Sequence, residues 1–157
     1  MLRAPCGLSL VTIPEPSGWL FDVMKLDHLG IAVPDLDNAL MFWRDALGLE
    51  LDDIEVVESE GVRTAFLSVG EASIELLEPM GEDGVIAKYL TKNGPGIHHI
   101  CLKVDGIQER LDTLDAAGVR LVDRTPRPGA HGKNVAFLHP KASGGVLIEL
   151  AEPGEKA

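Results

Sequence analysis

The chain has 157 residues, 45% of them hydrophobic, and a formal net charge of −11. That length accommodates one domain with a real core, and that hydrophobic share excludes a disordered chain. The acidic balance argues against nucleic acid or an anionic membrane as partner, since both require basic surface, but a small anionic ligand stays open because a local basic cluster can override the global sign.

Two cysteines, Cys6 and Cys101, make neither a disulfide framework nor a zinc knuckle, so the cytoplasm is the expected compartment. No apolar run is long enough to span a bilayer. Residues 1–24 carry one arginine and a short apolar stretch broken by Pro14 and Pro16, too poor a hydrophobic segment for a good cleaved signal. They are expected to be a poorly ordered extension, with Met24 an alternative initiator, and the domain is expected over 25–153.

From Lys25 onward the chain repeats itself. "KLDHLGIAVPDLDNAL" at 25–40 matches "GIHHICLKVDGIQERL" at 96–111, with His28 on His99 and Val33 on Val104, 71 positions apart. "DALGLELDD" at 45–53 matches "DAAGVRLVD" at 115–123. "AFL" occurs at 65–67 and again at 136–138, and "IELLEP" at 74–79 returns as "IELAEP" at 148–153. The offset varies by a single residue as far as the "AFL" strings and gains three where "SVGEAS" becomes the longer "HPKASGGVL". A period near 70 is too long for a solenoid, so one supersecondary module is used twice.

Each copy opens with a strand of alternating character, 26–33 and 97–104. An amphipathic helix comes next, with Asp35 or Asp105 as the expected N-cap and Gly48 or Gly118 just past its end. Leu36, Leu40, Trp43 and Leu47 make the apolar stripe of the first helix, and Ile107, Leu111 and Leu114 that of the second. Three strands complete each copy, at 50–57, 62–69 and 73–78, then 119–124, 134–139 and 146–151. The predicted fold is therefore α+β: two tandem βαβββ modules, 25–79 and 96–153, forming a curved mixed sheet. The linker 80–95 is expected to hold a short helix over 85–90.

Strand side chains alternate between faces. Leu29, Ile31 and Val33 go under the first helix, which leaves His28 on the opposite face with Gly30 and Ala32. In the second copy Ile100, Leu102 and Val104 face the core, which leaves His99 opposite and assigns its neighbour His98 to the other side. In the closing strands Ile74 and Leu76, and Ile148 and Leu150, face the core, so Glu75 and Glu149 face away. Two histidines and two glutamates thus occupy matched positions on the concave side. A carboxylate held between apolar neighbours in mid-strand needs a cation. A lone His or Glu on a strand is ordinarily solvated or ion-paired, and duplication preserves residues whether or not the copy is used. The matched appearance of both types is what points to one metal site. Imidazole and carboxylate donors suit zinc, cobalt, nickel, iron or manganese.

"LDHLGIAV", "IELLEP", "GIHHICLKVD" and above all "GAHGKNVAFLHPKASGGVLIEL" resemble the methylmalonyl-CoA epimerase family of the vicinal oxygen chelate superfamily, over 25–153. The resemblance implies a glyoxalase-like fold and a divalent metal, often cobalt, held by His28, Glu75, His99 and Glu149. It also implies an acyl-CoA substrate, a homodimer, and a cytoplasmic or mitochondrial-matrix location. The implied reaction inverts C2 of methylmalonyl-CoA through a metal-stabilised enolate. Some members carry a glutamate base in a G-V-x-E string. Here the string is Gly61-Val62-Arg63-Thr64, so Thr64 replaces the carboxylate and Glu149 is left as the candidate base. The local basic excess over 120–141 offers His131, Lys133 and Lys141 as candidate contacts to substrate or coenzyme A. Two other readings are a glyoxalase I-type lactoylglutathione lyase and a metal-free binding or resistance protein of the same fold. The second fits less well, because such proteins usually lack the ligand quartet.

Overall fold

The structure, a computed structural model, describes residues 24–154, so the expected extension lies outside the described residues except for Met24. Eight strands form one curved mixed sheet: β1 (Lys25–Ala32), β2 (Leu51–Val57), β3 (Val62–Val69), β4 (Ala72–Pro79), β5 (Gly96–Lys103), β6 (Arg127–Pro128), β7 (Lys133–Leu138) and β8 (Leu147–Pro153). Their order is β2-β3-β4-β1-β5-β8-β7-β6. Strand β1 pairs parallel with β4, and β5 does the same with β8, while β1 and β5 meet antiparallel at the centre. The two modules are therefore stitched into one sheet through their first strands, which carry His28 and His99.

The helices are α1 (Leu36–Leu40), α2 (Val85–Asn93) and α3 (Ile107–Ala116). Asp35 caps α1, its side chain accepting from the Asn38 N–H at 2.7 Å. The helix then widens into a π-helix over Met41–Ala46, closed by the Leu47 N–H donating to the Phe42 carbonyl at 2.8 Å. The wider turn rotates the residues C-terminal to it about the helix axis. Leu36, Leu40 and Trp43 stay on the core with Val33, Leu67 and Leu76, whereas Leu47 is turned out to solvent. The second core has the matching composition: Val104, Ile107, Leu111, Ala136 and Leu150. Fully burying a side chain such as Leu76 or Leu111 stabilises by roughly 1.5–3 kcal/mol.

Two features depart from the sequence reading. Asp105 is not the N-cap of α3. Gly106 takes that place in the left-handed region (φ 64) and donates its N–H to Glu152 Oε1 at 2.6 Å. Nor do residues 119–124 form a strand. Only Leu121 bridges to Leu138, and the edge of the sheet is taken by the two residues of β6. The Val122 and Asp123 N–H groups both donate to the one Phe137 carbonyl, at 2.9 and 3.1 Å, and the Asp123 carboxylate takes the Phe137 N–H at 2.9 Å, so no regular ladder runs on from there.

Candidate active site

The concave face takes its geometry from the pairing of the four central strands. Across β1–β5, His28 stands opposite Cys101 and Gly30 opposite His99. Across the outer pairs, Gly30 stands beside Glu75 and Cys101 beside Glu149. This makes two rows across the sheet, Glu75–Gly30–His99 and His28–Cys101–Glu149. The middle residue of each row is small, so the flanking side chains lean inward over it and meet.

They meet closely. The two Nε2 atoms of His28 and His99 are 3.0 Å apart. His28 Nε2 lies 3.2 Å from Glu75 Oε2 and 3.3 Å from Glu149 Oε2. His99 Nε2 lies 3.4 Å from Glu75 Oε2 and 2.8 Å from Glu149 Oε2. All four residues are buried. His28, His99 and Glu149 offer ligand atoms that all fall within 4.8 Å of one another. Donors bound cis to one ion at bonds of about 2.1 Å stand about 3 Å apart, which is the spacing found. The donor set therefore fits a divalent cation.

The electrostatics agree. Burial works against charge on both imidazoles, but hydrogen bonds win. Asp27, Cys101 and the two glutamates raise the pKa of His28, and the two glutamates raise that of His99. Burial likewise works against charge on Glu75, and the two histidines hold it down to about 2; Glu149 is lowered in the same way. The site holds two carboxylates ionised and asks for positive charge between them. Cys101, under His28, has its thiol pushed up to about 12 by burial and is a neutral floor.

Above this floor opens a cavity of about 260 Å³. Its walls are mainly apolar, with Val57, Val62, Leu77, Ile86 and Val135 among them. Phe66 stands edge-on to His28, with ring centres 6.3 Å apart, and Phe137 stands the same way to His99 at 5.8 Å. These are the phenylalanines of the repeated "AFL" strings. Glu60 and Arg127 also line the cavity and form an ion pair between the modules, with Arg127 lying 5.2 Å from the centre of the Phe137 ring.

Of the candidates for substrate contact, His131 and Lys133 line the cavity and Lys141 does not. His131 has φ 55 and its ring lies 4.0 Å from that of Phe66. Lys133 is engaged with Asp27 Oδ1 at 2.6 Å, and that same oxygen is 2.8 Å from His28 Nδ1. Burial would raise the Asp27 carboxyl, yet its bonds to His28 and Lys133 hold it well below the usual range. Thr64 is buried, and its hydroxyl donates to the Glu55 carbonyl at 3.3 Å.

His98 departs from strict alternation. Gly30 pairs with His99 but Ile31 pairs with Ile97, so His98 is an extra residue in β5, and its ring lines the same cavity as His99. A bulge of this kind re-aims a side chain. Asp27 and His98 are the cavity-floor residues that sequence reasoning missed, as it missed the pairing of Glu60 with Arg127. The one signal for the first two was their shared place, each immediately before a matched histidine.

The family model described as "Glyoxalase/Bleomycin resistance protein/Dioxygenase superfamily" matches residues 27–137. The chain is 44% identical over 129 residues to the mitochondrial methylmalonyl-CoA epimerase of Dictyostelium discoideum, covering 82% of this chain and 78% of that one. It is similar to the crystal structure of methylmalonyl-CoA epimerase from Mycobacterium tuberculosis, with a TM-score of 0.78, 45% identity, and coverage of 82% of this chain and 87% of that one. It is also similar to a methylmalonyl-CoA epimerase solved in complex with methylmalonyl-CoA and NH4+, with a TM-score of 0.80, 38% identity, and coverage of 84% and 96%. The chain belongs to the glyoxalase/bleomycin resistance protein/dioxygenase superfamily and, within it, to the methylmalonyl-CoA epimerase family.

Proposed function

We propose that this protein is a divalent-metal-dependent epimerase that inverts C2 of methylmalonyl-CoA, and that it works as a homodimer in the cytoplasm. The observation that carries the reading is the convergence of His28, Glu75, His99 and Glu149 at the floor of a cavity with apolar walls. These four residues would hold the metal, cobalt or else zinc, nickel or manganese. When bound, such an ion stabilises negative charge that develops on a thioester oxygen.

The remaining work falls to the chain itself. The apolar walls keep water from the reacting carbon and favour a short alkyl branch. Phe66 and Phe137 hold the two imidazoles upright on either side. Glu149, the carboxylate that the family resemblance leaves as base, is assigned to take the C2 proton and is kept ionised by the histidines beside it, and an acid on the opposite face returns a proton to C2. Thr64, tied to the Glu55 carbonyl, takes no part in proton transfer. His131 lines the cavity and is the contact assigned to the substrate. Lys133 carries that assignment less well because Asp27 already holds it, and Lys141 only if the coenzyme extends beyond the cavity.

The test is isotope exchange. The protein is incubated with methylmalonyl-CoA in deuterated water, with and without a chelator, and incorporation at C2 is measured. Chelator-sensitive exchange is expected. Turnover of a glutathione hemithioacetal without such exchange would overturn the reading in favour of a lactoylglutathione lyase.

A further inference from the structure

The β1–β5 ladder slips twice. Leu26 pairs with Leu102 and His28 with Cys101, which leaves Asp27 as an extra residue; Gly30 pairs with His99 and Ile31 with Ile97, which leaves His98 as another. These two residues are equivalent in the repeat, 71 positions apart and each directly before a matched histidine. Each bulge turns its side chain toward the histidine next to it. Asp27 Oδ1 lies 2.8 Å from His28 Nδ1, and His98 Nδ1 lies 3.0 Å from His99 Nδ1.

Each is itself held from outside its strand. Lys133, from β7 of the other module, donates to Asp27 at 2.6 Å. Tyr89, from α2, donates to the Ile97 carbonyl at 2.7 Å and presents its ring edge-on to His98 with centres 4.9 Å apart. These contacts dictate the tautomers. His28 and His99 both turn Nε2 toward the carboxylates. A ligand nitrogen must carry a lone pair, so the proton of each sits on Nδ1. At His28 that proton goes to a carboxylate. At His99 the nitrogen within reach is His98 Nδ1, which must therefore accept.

We infer that Asp27 and His98 are a matched pair of positioning residues, placed by twin bulges, in which His98 fixes the tautomer and ring orientation of His99 as Asp27 does for His28. Partners one step out from a metal fix ligand orientation in just this way, and their loss typically costs about 10–100-fold in metal affinity. The His98–His99 contact stands on geometry alone, while its direction and its consequence rest on the proposed metal site.

Two measurements test it. The first uses the full chain labelled with 15N-histidine and stripped of metal, and looks for a nitrogen–nitrogen coupling across the His98–His99 hydrogen bond. A resolved coupling is expected, and its absence overturns the inference. The second compares Co2+ affinity and the visible Co2+ absorption band in wild type, His98→Phe and His98→Asn. The asparagine oxygen stands near the place of Nδ1 and can accept, whereas phenylalanine keeps the bulk without the acceptor. His98→Phe should bind Co2+ about 10–100-fold more weakly with a shifted band, and His98→Asn should recover most of the loss. An unaltered His98→Phe, or an asparagine variant as impaired as the phenylalanine one, overturns the inference. If wild type takes up no Co2+, the metal reading fails and the coupling alone decides the pairing. The coupling needs no variant, so a misfolded His98→Phe protein leaves the test intact.

Discussion

Replacing Gly30 with alanine puts one methyl group into the space that His99 occupies. A Cβ built on Gly30 would lie 2.2 Å from His99 Cε1, 2.5 Å from Nδ1 and 2.7 Å from Nε2. Carbon atoms rest at about 3.5–4.0 Å from one another, so the imidazole must move by about 1.3 Å or more. Metal–ligand distances tolerate about 0.2 Å, so the shift takes Nε2 out of the ligand set. Metal affinity should fall by more than the roughly 10–100-fold that losing an outer hydrogen bond costs. Overpacking of this kind also costs about 1–3 kcal/mol, which in a domain of this size lowers the melting temperature by roughly 2–12 °C. Calorimetric metal titration and thermal unfolding of the metal-stripped protein read the two effects separately. Gly30→Ala combined with His99→Ala isolates the clash, because without the ring the added methyl has little to strike, and the cycle should show a coupling of about 0.5–3 kcal/mol. A Gly30→Ala protein that melts with wild type and takes up metal equally well would refute the reasoning.

Lys133→Met separates two roles. If Lys133 serves Asp27, metal uptake weakens by about 10-fold and KM for the acyl-CoA stays put; a raised KM with unaltered metal uptake would return Lys133 to the substrate. Metal binding should expel protons. The pKa values of His28 and His99 are both raised above 6.5, with burial opposed by hydrogen bonds to the carboxylates, so the metal-free site holds protons at neutral pH and its imidazolium contacts stabilise it until the pH climbs through the raised values. An incoming ion competes with those protons, so affinity must rise with pH, and calorimetry in buffers of different ionisation enthalpy should return about one to two protons released per ion. Affinity that does not change with pH would contradict this. Thr64→Val removes the bond to the Glu55 carbonyl and should cost about 0.5–1.5 kcal/mol of stability, with C2 exchange nearly unchanged; a collapse of exchange would make Thr64 part of the chemistry.

How far the sequence can be read depends on periodicity. The repeat is visible because both modules keep the same alternation, and alternation alone places His28 and Glu75, or His99 and Glu149, on one face. Features that break the period do not show in the alternation. A single extra residue in a strand looks like any other, so alternation sends Asp27 and His98 to the helix-covered face although their side chains reach the histidines they precede. The π-helix does the same to Leu47, which fits a stripe at 3.6 residues per turn and leaves it once the turn widens. Residues 119–124 read as a strand, but the Asp123 side chain takes the Phe137 N–H that a strand partner would use, and only Leu121 bridges. The basic excess over 120–141 is also less free than composition suggests. Three of its cations already have acidic partners outside that stretch: Arg124 with Asp115, Arg127 with Glu60 and Lys133 with Asp27.

The two modules contribute equal donors with unequal neighbours. Each supplies one imidazole, one carboxylate and one phenylalanine beside the ring, at matched positions. Behind the donors the match ends. His28 is backed by an ionised carboxylate and stands over a thiol, whereas His99 is backed by a neutral imidazole, whose pKa burial and the charge of His99 lower to about 4, and stands over the bare backbone of Gly30. A carboxylate behind an imidazole makes it a stronger electron donor than a neutral partner does. The floor is therefore symmetric in the identity of its donors and asymmetric in their basicity. A site symmetric in both would present the same field on its two sides. Removing a proton from one face of a planar carbon and returning it to the other asks the two sides for different things at each moment. The asymmetry comes from residues outside the ligand set, so it can be tuned without disturbing the four donors.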